Sequence, residues 1–308
     1  MTANPIRLPG LYGGPHEGPL IMCEAGTDHR DYFAFVDGTR ASYQRFTAFA
    51  EPERLSRYGH LVFVSGPTGV GKSSFIALCA RHLRDTLKVP VAVVNYGQAA
   101  VAPDGDFDRA AKQLFREIVG VIKSESWMSK ETLDSLRTRM DNLQDAYEYL
   151  GDLLEEGNAI MAVILPQKIP LAWVQNYYYL TQKRIMFLAE GANDAEEDFR
   201  AHVGNLPGRP SLFLSLGLLE PENGDILTFL NSRVDRDGSV REMTDEERRL
   251  ACRAVRPAQT VTQVEEELTH LFDLSGSMTI TPSLVQQYME QALGRLFTKL
   301  ARDDVARG

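Results

Sequence analysis

Residues 66–73 combine glycines, a lysine and a serine in the pattern G-x-x-x-x-G-K-S. Glycines in such a loop allow backbone N–H groups to turn inward onto phosphate oxygens. Lys72 would then contact the β- and γ-phosphates of a nucleotide, and the Ser73 hydroxyl would hold Mg²⁺. The sequence therefore predicts a phosphate-binding loop with Ser73 as its metal ligand. The predicted binding residues are Gly66, Pro67, Thr68, Gly69, Val70, Gly71, Lys72, Ser73 and Ser74.

The neighbouring segments support this interpretation of the loop. The apolar stretch LVFVS precedes it and predicts a strand, and the amphipathic stretch KSSFIALCARHL follows it and predicts a helix. The N-terminus of that helix carries a partial positive charge, which favours bound phosphate. We expect ATP rather than GTP, because no N-K-x-D run, the usual guanine-reading signature, follows the loop.

Short apolar runs alternate with longer amphipathic segments up to about residue 220. Such runs are typical of strands buried on both faces of a parallel sheet. The predicted strands are Leu61–Ser65, Val91–Asn95, Ile160–Leu165, Ile185–Ala189 and Leu212–Leu216. The predicted helices cover residues 40–57, 72–87, 107–124, 129–156, 170–183 and 194–204. The alternation predicts an α/β fold, namely a three-layer P-loop core with a parallel sheet.

The strand-like runs stop after residue 221, and only helical segments follow. The predicted helices here cover residues 224–236, 244–255, 260–273 and 281–302. We therefore divide the chain into an irregular N-terminal arm (1–39), an ATP-binding core (40–222) and a helical lid domain (223–308). Because the arm is rich in Gly and Pro, we expect it either to lie on the surface or to reach a neighbouring subunit.

The chain resembles the AAA+ ATPase superfamily over roughly residues 40–290. The resemblance rests on the stretch VFVSGPTGVGKSS and on the order of the segments LEPENGDILTFLNSRV, MTDEERRLACRAV and ITPSLVQQYMEQAL. The branch that it resembles contains origin-recognition proteins, transposition regulators and signal-transducing (STAND) ATPases. The resemblance implies an ATP-binding core with a small helical lid. It also implies a homo-oligomer or filament in which ATP lies at subunit boundaries.

The third strand departs from the pattern of that family. The resemblance implies four apolar residues followed by an Asp that supports Mg²⁺ and a Glu that activates water. Here the strand is followed by Pro166 and Gln167. Because an amide cannot accept a proton in this way, Gln167 cannot serve as a general base. Either the protein binds ATP and hydrolyses it slowly or not at all, or an acid elsewhere takes over this role.

Glu190 is the predicted substitute, and we assign it a catalytic role. The resemblance implies that its strand lies between the loop strand and the third strand, so the carboxylate would face the γ-phosphate. A solvated Glu at the strand end stays open, as does a sensor role for Asn193 or Asp194. The resemblance also implies an arginine that contacts the nucleotide of the next subunit. Arg209 precedes the fifth strand and is our candidate, with Arg233 or a plain loop arginine as alternatives.

The composition excludes several classes of protein. Hydrophobic residues make up 44% of the chain and charged residues 24%, which excludes a mainly disordered protein. The net charge of −9 does not indicate a DNA-binding surface, although a local basic patch stays open. Cys23, Cys79 and Cys252 are far apart and odd in number, so we expect a reducing compartment, the cytoplasm. We expect no membrane span, because no run of about 18 apolar residues occurs, and no signal peptide.

These features together predict an ATP-binding, nucleotide-dependent assembly switch with slow or absent hydrolysis, which requires ATP and Mg²⁺. One alternative is an active ATPase that remodels or loads DNA-bound partners. Another is a STAND-like regulator whose effector is a separate protein. The sequence does not discriminate between these three functions.

Overall fold

A computed structural model describes residues 4–8, 18–22, 29–99, 105–167, 169–192, 197, 200–201, 210–234, 243–276 and 279–307. Its strands form one parallel sheet, and each lies within two residues of a predicted strand. They are β1 (His60–Ser65), β2 (Val91–Asn95), β3 (Ile160–Ile164), β4 (Ile185–Gly191) and β5 (Ser211–Ser215). The α/β fold class is therefore confirmed.

The order of strands across the sheet is β2-β3-β4-β1-β5. Strand β4 therefore lies between β1 and β3, as the resemblance implies. In the register of this pair, Glu190 lies opposite Val64, and Gly191 lies opposite Ser65. Since parallel strands end at one edge of the sheet, the residues after β1, β3 and β4 come together there.

Helices precede and follow the strands of the core. They are α1 (Thr39–Phe49), α2 (Pro52–Arg57), α3 (Lys72–Thr86), α4 (Phe107–Ser124), α5 (Lys130–Thr138), α6 (Leu143–Glu156) and α7 (Leu171–Leu180). Side chains alternate along the strands and separate the core into two clusters. One joins the sheet to α4, α6 and α7, and the other joins it to α1 and α3. Both faces of the sheet are thus covered, which gives the three predicted layers.

Two segments that the sequence predicts as single helices are each divided in two. Residues 40–57 form α1 and α2, because Pro52 disfavours the helical conformation at Glu51, which is extended with φ −71° and ψ 134°. Residues 129–156 form α5 and α6 with a short 3₁₀ turn between them. Asn142 ends that turn in an extended conformation, and its side chain accepts a hydrogen bond from the backbone N–H of Asp145. This cap starts α6 as a separate helix.

The region after residue 223 is helical, as predicted. Its helices are α8 (Asp225–Val234), α9 (Asp245–Val255), α10 (Val261–Ser275) and α11 (Pro282–Arg307). Capping boxes start two of them, with Thr244 and Glu247 at α9 and Thr260 and Gln263 at α10. The four helices surround a hydrophobic cluster of their own, which includes Phe229 and Leu268. This helical region fits a lid domain, and its boundary at residue 222 stays a prediction.

The described parts of the N-terminal arm pack against the same chain. Ile6 is fully buried in the hydrophobic cluster of the lid helices, and Arg7 pairs with Asp273 of α10 at 2.6 Å. Leu20 and Met22 are buried in a small cluster that includes a residue of α3. These parts are irregular in conformation, as predicted, but they are buried within their own chain rather than lying loosely on its surface.

Candidate functional site

The phosphate-binding loop joins β1 to α3, as the sequence predicts. Its backbone needs glycine at two positions in particular. Gly66 has φ 154°, and a Cβ atom there would lie 2.5 Å from the carbonyl oxygen of Leu216. Gly69 has φ 85°, a left-handed conformation that side chains rarely adopt. The loop therefore has the tight backbone path that brings peptide N–H groups close to a phosphate.

Lys72 is the first residue of α3 and lies at the mouth of this loop. Its ammonium donates hydrogen bonds to the carbonyl oxygens of Gly66 and Pro67, at 2.7 and 2.8 Å. Burial lowers the pKa of Lys72 from its ordinary value of 10.5, and the negative charge of Glu190 acts in the opposite direction. The structure thus places the predicted cation beside a carboxylate at the loop.

Three side chains from three elements form a hydrogen-bonded chain beside Lys72. The Ser73 hydroxyl donates to Oε2 of Glu190 at 2.6 Å. The side-chain amide of Gln167, after β3, donates to the same hydroxyl at 2.9 Å. This order of donors is consistent, because a hydroxyl has one proton to donate and a carboxylate accepts only. The sequence predicted that Glu190 faces the nucleotide, but its hydrogen bond to Ser73 was not foreseen.

The side-chain oxygen atoms of Ser73 and Glu190 suit a Mg²⁺ ion that is also bound to nucleotide phosphates. Mg²⁺ prefers oxygen ligands, is usually held by one or two carboxylates plus phosphates, and keeps several waters. Ser73 and Glu190 supply a hydroxyl and a carboxylate within hydrogen-bond distance of each other. In the part of the chain that the structure describes, no group of three or more His, Cys, Asp or Glu residues could hold a metal ion. The hydroxyl of Ser73 and the carboxylate of Glu190 therefore fit a metal whose other ligands are phosphate oxygens and waters.

A cavity of about 680 Å³ opens over the loop, between the core and the lid. Of the predicted binding residues, all except Pro67 line it. The rest of its wall comes from the arm, the lid and other parts of the core, and it includes Tyr32, Phe229, Glu265, Gln167 and Glu190. The cavity is of the size of small-molecule sites in proteins and combines polar and apolar walls, as such sites do.

The lid contacts the phosphate-binding loop directly. The backbone N–H and the hydroxyl of Thr262 both donate to the carbonyl oxygen of Gly69, at 3.0 and 3.2 Å. A Cβ atom on Gly69 would also lie 3.0 Å from the hydroxyl oxygen of Thr260, the cap of α10. The sequence analysis missed this contact. The predicted helix over residues 260–273 placed the start of α10, although not its contact with Gly69.

The N-terminal arm also reaches the site. The backbone N–H of Leu20 donates to the hydroxyl of Ser74 at 3.0 Å, one residue beyond the predicted metal ligand. Leu20 also lines the cavity. The arm is therefore one wall of the site in its own chain.

The predicted arginine contacts have different outcomes. Arg209, like Asn193 and Asp194, lies outside the described residues. Arg233 is only 4% exposed. Its guanidinium donates to the carbonyl oxygen of Tyr32 at 2.6 Å and lies 3.5 Å from Oε1 of Glu265. Arg233 therefore lines the cavity of its own chain, and its contact with a neighbouring nucleotide stays a prediction.

The chain has a parallel α/β core with a phosphate-binding loop between β1 and α3, followed by helices that fit a lid domain. Solved structures that share this fold include a chain of Drosophila ORC and Cdc6p from Pyrobaculum aerophilum. The chain is 13% identical to a chain of Drosophila ORC bound to DNA, with a TM-score of 0.53, over 90% of this chain and 69% of that one. It is 13% identical to Cdc6p from Pyrobaculum aerophilum, with a TM-score of 0.50, over 86% of this chain and 71% of that one.

Similar proteins are found by comparison of structures but not by comparison of sequences. No model of a known protein family matches the chain, and no curated protein matches it. At 13% identity, the likeness to the solved structures concerns the fold alone. The predicted α/β core with a helical lid is confirmed, whereas membership of the AAA+ superfamily and of one of its branches stays a prediction. Among the described helices, none has the length and apolar character needed to cross a membrane.

Proposed function

We propose that the protein binds ATP with Mg²⁺ and that the bound nucleotide controls its assembly into a homo-oligomer or filament, with slow or absent hydrolysis. One observation carries the proposal. Beside the phosphate-binding loop, the end of β3 presents the amide of Gln167, 2.9 Å from the Ser73 hydroxyl. An amide in this place can orient a ligand but cannot take a proton from water.

The loop supports the binding part of the proposal. Lys72 supplies a positive charge at the loop, and the N-terminus of α3 adds its partial positive charge. The apolar side chains of Val36, Phe229 and Val261 line the same cavity and suit the flat face of a nucleotide base. When ATP is bound, Lys72 and the N-terminus of α3 would neutralise part of the negative charge of its phosphates.

The walls of the cavity support the switch part of the proposal. Because the core, the arm and the lid all contribute walls, a nucleotide would contact all three at once. Binding would then fix the lid relative to the core, which changes the surface offered to a second copy. We assign Arg209 to the nucleotide of the neighbouring copy, as the resemblance implies.

One alternative has a specific observation in its favour. The ORC structure that this chain resembles is bound to DNA, which favours an active ATPase that remodels or loads DNA-bound partners. In that case Glu190 would be the general base that activates water. The net charge of −9 does not favour a wide DNA contact. A STAND-like regulator of a separate effector remains the third candidate.

Light scattering after size exclusion, without nucleotide, with ADP and with ATP, tests the proposal when phosphate release is measured in parallel. We expect a larger mass with ATP and a turnover far below the enzyme median of about 10 s⁻¹. Rapid turnover that rises further with DNA would support the remodelling ATPase instead.

A further inference from the structure

We propose that Glu190 and Ser73 together hold the Mg²⁺ of the nucleotide, so that β4 supplies the carboxylate that AAA+ relatives would take from β3. The inference rests on the proposed nucleotide binding and adds the residue that holds the metal. It also changes the predicted role of Glu190 from a base that activates water to a metal ligand.

The sheet order places Glu190 on the strand that pairs with β1, which leads into the loop. Strand β4 pairs directly with β1, whereas β3 is separated from β1 by β4. Glu190 lies opposite Val64, two residues before the loop begins. Its carboxylate accepts the proton of the Ser73 hydroxyl at 2.6 Å. The Ser73 hydroxyl and the Glu190 carboxylate, both possible metal ligands, therefore already lie side by side.

Strand β3 cannot supply this carboxylate itself. Residues 160–167 contain no Asp or Glu, and the chain leaves the strand through Pro166. Among the described residues that line the main cavity, the carboxylates are Glu190 and Glu265. Glu265 lies on α10 of the lid and pairs with the guanidinium of Arg233 at 3.5 Å. Glu190 is thus the carboxylate that is placed for a metal at Ser73.

A second, smaller cavity shares lining residues with the main cavity. Its volume is about 130 Å³, and Ser73, Gln167 and Glu190 line both cavities. Asn95 and Gln98 add further polar groups to its wall. A cavity of this size that is lined in part by polar groups has room for several waters. Since Mg²⁺ gives up its waters reluctantly, a polar space beside its ligands is what the ion requires.

This assignment gives a second reason for slow hydrolysis. A carboxylate bound to a metal is not available to take a proton from water, and Gln167 cannot do so. The AAA+ pattern has two acidic residues after β3, one that supports Mg²⁺ and one that activates water. Here Glu190 would take the first role, and neither Glu190 nor Gln167 would take the second.

The test is equilibrium binding of ATP to the full chain by calorimetry, once with Mg²⁺ and once with EDTA. The dissociation constant in EDTA divided by the dissociation constant with Mg²⁺ measures how much the metal strengthens ATP binding. For Glu190→Gln we expect this ratio to fall about 10- to 100-fold, as for the loss of a group that supports a metal. Affinity in EDTA should stay equal or rise, because a negative charge near the phosphates is removed. The matched control is Glu53→Gln, on exposed α2, which should behave as wild type.

The spectrum of Mn²⁺ bound with ATP, recorded by electron paramagnetic resonance, gives a second readout. It should differ between wild type and Glu190→Gln and not between wild type and Glu53→Gln. Circular dichroism verifies the fold, and Glu190→Asp, with its shorter reach, replaces the Gln variant if that variant does not fold. A wild-type ratio that persists in the folded Glu190 variants overturns the metal assignment alone. If the wild type binds ATP neither with Mg²⁺ nor with EDTA, the proposed function is overturned.

Discussion

Thr262 in the lid donates two hydrogen bonds to the carbonyl oxygen of Gly69, at the tip of the phosphate-binding loop. One bond comes from its backbone N–H and the other from its hydroxyl. The two residues are 193 positions apart in the sequence. The contact joins the first turn of α10 to the segment that would bind phosphate.

Replacing Thr262 by Val tests this coupling, because Val keeps the shape and the backbone bond but removes the hydroxyl. We expect α10 to be held less firmly, by about 0.5–1 kcal/mol for one partly exposed hydrogen bond. Hydrogen exchange followed by mass spectrometry should become faster around residues 260–264 and in the loop. Thr47→Val, which removes a local hydroxyl bond on α1, should leave exchange at the lid unchanged. Equal exchange in both variants would show that the hydroxyl contributes nothing to lid docking.

Lys72→Ala should abolish detectable ATP binding while the fold is kept. Lys72 carries the positive charge at the loop, and its ammonium is already directed at the loop carbonyls. Calorimetry measures the binding, and circular dichroism verifies the fold. Lys88→Ala, which changes an exposed lysine just beyond α3, is the matched control. Unchanged ATP affinity in folded Lys72→Ala protein would remove the phosphate-loop hypothesis.

Arg209→Ala should weaken ATP-dependent assembly and spare the binding of ATP by the single chain. Charge-assisted hydrogen bonds to phosphate are strong, so the loss of one should raise the protein concentration needed for assembly. Light scattering across a concentration series measures that midpoint. Arg57→Ala, at the exposed end of α2, provides the comparison. An assembly midpoint equal to that of the wild type would make Arg209 an ordinary loop residue.

Acid should destabilise the core through His60, which is fully buried at the start of β1. Burial lowers its pKa from 6.5 to about 4; the carbonyl of Tyr58 opposes this shift, and the charge of Arg54 adds to it. Between these two pH values the unfolded chain binds the proton and the folded chain does not. The stabilisation is therefore complete above about pH 6.5 and is lost as the pH falls towards 4.

Replacing His60 by Phe should remove this dependence, because Phe fills the site without a titratable group. At about 1.4 kcal/mol for each pKa unit, the wild type should lose about 3 kcal/mol more than the variant between pH 7.5 and 4. Urea unfolding at the two pH values measures the free energies. His270→Gln, at an exposed position of α10, should retain the wild-type dependence. A parallel loss in His60→Phe would assign the acid sensitivity to other groups.

Local patterns predicted most of the fold. Buried strands have short apolar runs, and the loop glycines and Lys72 have a fixed spacing, so both could be placed from the sequence. Helix breaks were less visible. The capping role of Asn142 depends on a conformation that the apolar periodicity of residues 129–156 does not reveal.

Contacts between distant elements account for what sequence reasoning missed at the site. The hydrogen bonds of Ser73 to Glu190 and Gln167 join residues 117 and 94 positions apart. The sheet order placed the two strand ends near the loop, but only side-chain geometry pairs the hydroxyl with the carboxylate. For the same reason the sequence suggested Glu190 as a base, whereas its contact with Ser73 favours the metal.

The central claim is that ATP drives assembly before it is hydrolysed. The most direct measurement follows scattered mass and released phosphate in the same sample after ATP is added to the nucleotide-free protein. We expect the mass to rise to a plateau while much less than one phosphate per chain has been released. Mass that does not change with ATP would contradict the account, and so would rapid turnover that persists in Glu190→Gln.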